Sequence, residues 1–125
     1  MTEQLRDVDE LNGNLDGLES VWDSRLRTAY DFYRGGAGPE VALAAALVEA
    51  AIDLQELGAT APAPPRLLIG DLCLARASRL LAESRDRRLQ VGFARAVERV
   101  AAAAAGGPPS RPLRDLLVAA IEEAR

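Results

Sequence analysis

Apolar residues recur at intervals of three and four along most of this chain, which is the spacing of amphipathic helices. In the first segment this spacing predicts a long helix over 2–34. Gly13 and Gly17 interrupt the pattern, and each glycine costs about 1 kcal/mol relative to alanine in a helix interior. The first helix is therefore either continuous or broken near 12–17.

The same spacing predicts four more helices, most of them separated by connections rich in glycine and proline. They cover 39–57, 67–84, 87–105 and 110–124. The connections RGGAG, ATAPAPPR and GGPP favour the end of one helix and the start of the next. Ser110 is predicted to cap the last helix with its hydroxyl oxygen. Five helices joined in this way predict an all-α single-domain bundle over 1–125.

Helix 39–57 has the widest apolar arc and is predicted to lie at the centre of the bundle. Its polar stripe carries Glu49, Asp53 and Glu56. Three carboxylates at these spacings are candidate Mg²⁺ ligands. A solvated or arginine-paired stripe is the alternative that we favour, because like charges this close together need water or a cation beside them.

Asp71 lies on the same face of helix 67–84 as Leu67, Leu68 and Leu74, away from the charged residues of that helix. This face is predicted to be buried, and a carboxylate there needs hydrogen-bond donors or a cation. We favour a structural Asp71 that accepts hydrogen bonds from neighbouring groups, since most buried polar groups have such partners. A functional carboxylate is the alternative.

Only five residues are aromatic, and four of them lie close together in the sequence. They are Trp22, Tyr30, Phe32 and Tyr33, with Phe93 on a later helix. We favour a role in the core, because large aromatic side chains contribute much of the buried area of a small domain. A patch that binds a partner protein is the alternative.

The basic residues are all arginine, and the chain has no lysine and no histidine. This excludes a Schiff-base lysine, a histidine general base and a histidine-containing catalytic triad. The net charge of −4 gives no basic surface for nucleic acid. Cys73, the single cysteine, is predicted to fill core space rather than to act as a reactive thiol. We expect no membrane span and a cytoplasmic location, because no run of eighteen apolar residues and no signal peptide occurs.

A motif runs through helix 67–84 and into the helix that follows. Its positions are Leu68, Gly70, Asp71, Leu74, Arg76, Ala77, Leu80, Leu81, Asp86, Phe93 and Ala96. This pattern resembles a helix pair of the trans-polyprenyl diphosphate synthases, which have the all-α isoprenoid synthase fold. Upstream, Ala46, Glu49 and Ala50 are similar to the helix that leads into the first aspartate-rich motif of that family. The resemblance implies a truncated isoprenoid synthase fold.

The resemblance does not extend to the residues that bind the family's substrates. Family members hold Mg²⁺ and diphosphate through two D-D-x-x-D motifs, and this sequence has no Asp-Asp pair. Residues 53–56 or 59–60, depending on the alignment, stand where the first motif would fall, and the sequence ends before the second. The resemblance therefore implies no catalysis by the chain alone, and Mg²⁺ only in a catalytic partner. Gly70, Asp71 and Arg76 are then structural positions of the motif.

Some bacterial hexaprenyl and heptaprenyl diphosphate synthases resemble this arrangement, because they pair a catalytic large subunit with a small subunit that lacks the aspartate-rich motifs. The resemblance implies that the chain is such a non-catalytic small subunit. It would pack on the large subunit and help set prenyl chain length in isoprenoid (quinone side-chain) biosynthesis. Apolar surface left uncovered by a truncated fold also predicts self-association as a dimer when the partner is absent.

Two other functions fit the composition. A Mg²⁺-dependent all-α nucleotide pyrophosphohydrolase would use Glu49, Asp53, Glu56 and Asp71 on facing helices. Such enzymes typically carry paired glutamates, and this sequence has none before its last four residues. A generic helical adaptor would need only the bundle itself. We favour the subunit, since it also accounts for the motif on helix 67–84.

Overall fold

The computed structural model describes residue 18 and residues 24–55 and 64–125. The five helices in this part of the chain are α1 (Ser24–Arg34), α2 (Pro39–Gln55), α3 (Pro64–Ser84), α4 (Arg87–Ala104) and α5 (Leu113–Glu123). No strand occurs among the described residues, so the all-α prediction is confirmed there. The predicted break near 12–17 lies outside the described residues.

The ends of two helices differ from the predicted ones, and proline explains both differences. Helix α3 begins at Pro64, three residues before the predicted start, because proline is compatible with the first turn of a helix. Helix α5 begins at Leu113, after an extended Pro112 with φ −53° and ψ 145°. Ser110 therefore does not cap α5, and its hydroxyl instead donates to the carbonyl oxygen of Arg111 at 2.8 Å. Helical backbone is unfavourable for a residue that precedes a proline, here Arg111, so α5 starts only after Pro112.

Helix α2 is the centre of the bundle, as predicted. Every residue from 42 to 48 is buried, and so is Ala51. Helices α1, α3 and α5 all pack against it. Most of these buried residues are alanines, which allow the neighbouring helix axes to approach closely.

The connection between α3 and α4 is fixed by a side-chain cap. Asp86 has extended backbone, and its Oδ1 accepts from the backbone N–H of Leu89 at 3.2 Å. The other end of α4 terminates where Gly106 takes a positive φ of 93° and Gly107 donates back to the carbonyl of Ala102 at 2.8 Å. Glycine is favoured there because that backbone conformation is unfavourable for other residues.

The buried face of α3 is not the predicted one. Its buried residues are Gly70, Cys73, Ala77, Leu80 and Leu81. Asp71 is exposed, so the prediction that it is buried is wrong, and so is the face on which it was placed. Small residues decide the packing: a Cβ added at Gly70 would lie 2.9 Å from Cγ of Gln55 on α2, closer than real Cβ contacts allow.

Side chains that were expected to be in the core divide into two groups. Tyr30, Tyr33 and Phe93 are buried, as predicted, and so is Cys73, whose pKa is raised by burial to about 11. Phe32 is 49% exposed, so the prediction of a core position is wrong for this residue. Trp22 lies outside the described residues. None of the described helices is both long and apolar enough to cross a membrane.

Candidate functional site

A cleft of about 640 Å³ opens between α1, α2 and the first turns of α3 and α5. Its apolar lining comes from small and branched side chains, including Leu26, Ala29, Ala46, Ala50, Ile69 and Leu113. Five charged residues also line it, namely Arg25, Glu49, Asp53, Arg66 and Arg114. Clefts of this size with an apolar floor and a few polar groups are the usual form of a binding site.

Glu49 of α2 accepts hydrogen bonds on both carboxylate oxygens. Arg114, in the first turn of α5, donates from Nε to Oε2 and from Nη2 to Oε1, each at 3.0 Å. The hydroxyl of Tyr33 on α1 donates to the same Oε2. Because the Glu49 side chain is only 22% exposed, this two-point contact is shielded from solvent more than an ordinary surface ion pair.

The guanidinium of Arg114 is also stacked on aromatic rings of α1. Its Cζ lies 4.5 Å from the ring centroid of Phe32 and 5.8 Å from that of Tyr33. The two rings meet edge to face with centroids 5.2 Å apart. Tyr33, Glu49, Arg114 and Phe32, here called the Arg114 cluster, therefore connect α1, α2 and α5 through one cation.

Two members of the Arg114 cluster, Tyr33 and Arg114, have raised pKa values. Burial raises the pKa of Tyr33 well above its ordinary value, and the hydrogen bond to Glu49 raises it further. The hydrogen bonds to Glu49 also raise the pKa of Arg114, against burial, which lowers it. At neutral pH Tyr33 is therefore a protonated donor and Arg114 a cation, and neither can serve as a general base.

Asp53, one helical turn after Glu49, forms an ion pair with Arg25 of α1. Arg66, at the start of α3, donates to the backbone carbonyls of Leu54 at 3.3 Å and Asp53 at 3.4 Å. An arginine-paired stripe is thus the observed arrangement for two of the three acids. Glu56 lies outside the described residues.

The motif residues on α3 and α4 do not line the cleft, whereas the upstream positions Ala46, Glu49 and Ala50 do. Oδ1 of Asp71 accepts from Nε2 of Gln55 at 3.0 Å, which links α3 to the last turn of α2. Gly70 is buried against the same glutamine, whereas Arg76 is half-buried further along α3. The structure therefore brings Glu49 and Asp53 together on one side of α2 and places Asp71 and Arg76 outside the cleft lining.

Arg25, Arg66, Arg114 and Tyr33 were not identified as site residues from the sequence. Arg114 is 65 residues from Glu49, so no local spacing connects them. The absence of lysine was the available signal, since arginine is the cation suited to two-point carboxylate contacts and to stacking on aromatic rings.

The cleft combines paired charges with an apolar floor. Both described acids of its lining are paired with arginines, and the described residues contain no group of three His, Cys, Asp or Glu side chains placed to hold a metal ion. The apolar floor can accept a hydrocarbon surface, whereas the charged rim fixes how the three helices meet.

Comparisons with protein-family models, with curated proteins and with solved structures find no match to this chain.

Proposed function

We propose that the chain is a non-catalytic subunit of a heteromeric trans-polyprenyl diphosphate synthase. It packs on a catalytic large subunit and helps set the length of the prenyl chain in isoprenoid (quinone side-chain) biosynthesis. One observation carries the proposal: the acids nearest the missing aspartate-rich motif are paired with arginine. The motif positions shared with the synthases agree with it, because six of the eleven are buried packing residues.

The shared positions hold the helix pair together. Gly70 allows α3 to approach Gln55 and Ala51 of α2. Ala77 and Leu80 continue the same buried stripe along α3. On α4, Phe93 and Ala96 are buried, and the cap at Asp86 sets where that helix starts. At these positions the resemblance supports a shared framework without shared chemistry, whereas Leu68 and Asp71 of the motif are exposed.

The acids of α2 have their charges balanced by neighbouring arginines. Glu49 is bound at both oxygens by Arg114, and Asp53 is paired with Arg25. A magnesium ion at either carboxylate would have to displace a guanidinium. We therefore place the Mg²⁺ and the diphosphate in the catalytic partner, whose residues would stabilise the charge of the leaving diphosphate.

The contribution of the small subunit to chain length would be steric. A wall of side chains ends chain growth when the next five-carbon unit no longer fits. The apolar floor of the cleft offers such a surface, and Ala50 is a half-buried position on it with space on one side. Ala50→Phe in the reconstituted complex should shorten the main product, whereas Ala94→Phe on the exposed face of α4 should leave it unchanged.

The direct test is co-expression with candidate synthase large subunits. We expect a stable complex that condenses isopentenyl diphosphate with an allylic primer, and no turnover by the isolated chain with Mg²⁺. Turnover by the chain alone, or failure to associate with any such large subunit, would refute the proposal.

The two alternatives give different results. Calorimetric titration of the isolated chain with Mg²⁺ should give stoichiometric binding if it is a pyrophosphohydrolase-like enzyme. An adaptor would bind a partner unrelated to prenyl synthesis. In the described residues, the arginine contacts of Glu49 and the position of Asp71 against Gln55 do not favour the enzyme.

A further inference from the structure

Helix α3 has an exposed apolar surface on the side opposite its core stripe. Leu68 is 62% exposed and Leu72 is 46% exposed, although leucine is normally among the more buried residue types. Leu68, Ala75 and Ala82 are all exposed and follow one another at intervals of seven residues. That interval is the repeat by which one helix maintains contact with another along its length.

The two halves of this surface differ in size and in charge. The first half has the exposed leucines and the exposed carboxylate of Asp71. The second half has small exposed side chains and the guanidinium of Arg79, whose side chain is 72% exposed. Asp71 and Arg79 lie at equal distances in sequence from Ala75, one on each side. If a second copy of this surface is turned so that its two ends exchange, its leucines lie opposite the small side chains and its carboxylate lies level with the guanidinium.

We propose that α3 pairs with α3 of a second copy of this chain in an antiparallel contact centred on Ala75. Leu68 then packs against Ala82 of the second copy, and Asp71 lies at the same level along the helix axis as Arg79 of the second copy. Two-fold symmetry forms each of these contacts twice, as in any contact between identical surfaces.

Charge and size both favour this direction. A parallel contact would set Asp71 beside Asp71 and Arg79 beside Arg79, and like charges that close are unfavourable. It would also set leucine against leucine at one end and alanine against alanine at the other, which leaves a gap. Among the described residues Arg79 forms an ion pair with the exposed Glu83, at 3.4 Å. Such surface pairs are weak, so the guanidinium can also reach across to a second copy.

The contact is expected to be reversible. From Leu68 to Ala82 the helix rises about 21 Å, and a contact of two helices over that length is small among stable interfaces. We therefore expect a weak, reversible dimer rather than a permanent one. This inference concerns the chain alone and does not depend on the identity of a catalytic partner, so its failure would leave the proposed function to be tested by co-expression.

The first test is sedimentation velocity of the full chain over a wide concentration range. We expect a monomer–dimer equilibrium that Leu68→Glu shifts at least tenfold towards monomer. The matched control is Val91→Glu, which places the same charge on an exposed apolar position of α4 and should leave the equilibrium unchanged. A monomer at all concentrations, or a dimer unaffected by Leu68→Glu, would overturn the proposal.

The second test reports the direction of the contact. Leu68→Cys and Ala82→Cys proteins are mixed and oxidised, and the disulfides are identified by mass spectrometry. We expect mainly the mixed 68–82 disulfide. Cys73 is fully buried and should not compete. If the 68–68 and 82–82 disulfides dominate, the antiparallel arrangement is wrong.

Discussion

Arg114→Met should destabilise the chain through the loss of a single side chain that connects three helices. Hydrogen bonds to a charged group contribute about 1.5–3 kcal/mol, and a stacked cation adds roughly 0.5–1 kcal/mol at an exposed site. The Arg114 side chain is 40% exposed, so solvent screening favours the low end of these ranges. We expect a loss of about 2 kcal/mol in the free energy of unfolding, or roughly 6–10 °C in Tm for a chain of this length.

A double-mutant cycle separates the contact from the general loss of an arginine. Thermal and urea unfolding would be followed by circular dichroism for Arg114→Met, Glu49→Gln and the double variant, with a coupling energy of about 1–2 kcal/mol expected. Arg111→Met is the matched control, because Arg111 is an exposed arginine of the same segment. If Arg114→Met melts like the Arg111 control, or if the two single losses simply add, the Arg114 cluster does not hold the helices together.

Three further changes follow from the same contacts. Burial raises the pKa of Tyr33, so its contribution to stability is full below the unfolded value of 10.0 and falls as the pH rises above it. In urea titrations Tyr33→Phe should lose less stability at alkaline pH than the parent chain. If the free energy of unfolding falls equally steeply with pH for both proteins, the pKa shift is contradicted. Cys73 should react with a thiol reagent at pH 8 only after unfolding, because it is buried and its pKa is raised to about 11. Rapid reaction of the folded chain would show that α3 opens locally. At a concentration at which the chain is monomeric, Asp71→Leu should change the free energy of unfolding by no more than about 0.5 kcal/mol, the range of most surface substitutions. A loss of several times that would mean that the hydrogen bond from Gln55 contributes more than an ordinary surface contact.

The number and order of the described helices could be predicted from the sequence, because the glycine and proline runs leave few ways to divide the chain. The central position of α2 could be predicted too, since an apolar arc this wide requires neighbours on several sides. Helix bounds were less accurate where proline lies at a helix start. Proline is compatible with the first turn of α3 but delays α5, and the sequence alone does not distinguish the two cases.

The buried face of α3 could not be predicted by counting large apolar residues. Leu67 and Leu68 are exposed, whereas Gly70 and Cys73 are buried. A neighbour made largely of alanine presents a smooth surface, and the best fit to it is the side of α3 that brings the two backbones closest. Reading the face from small residues would have placed Asp71 correctly on the outside.

The charged part of the candidate site was predicted only in part. The stripe with Glu49 and Asp53 follows from helical spacing, and the preference for arginine partners follows from the repulsion between like charges. Which arginines these are depends on how α1 and α5 lie against α2. That arrangement depends on how the helices pack together, and it cannot be predicted from the residue pattern of any one helix.

The seven consecutive buried residues of α2 have a consequence for how the molecule opens. A helix with one solvent-exposed face exchanges its amide protons through local fraying. Residues 42–48 of α2 have no solvent-exposed face. Solvent can reach their N–H groups only when helices around α2 separate. We therefore expect hydrogen exchange at these seven amides to report the free energy of separating the described helices around α2, so that helices that would be marginal in isolation open as one unit.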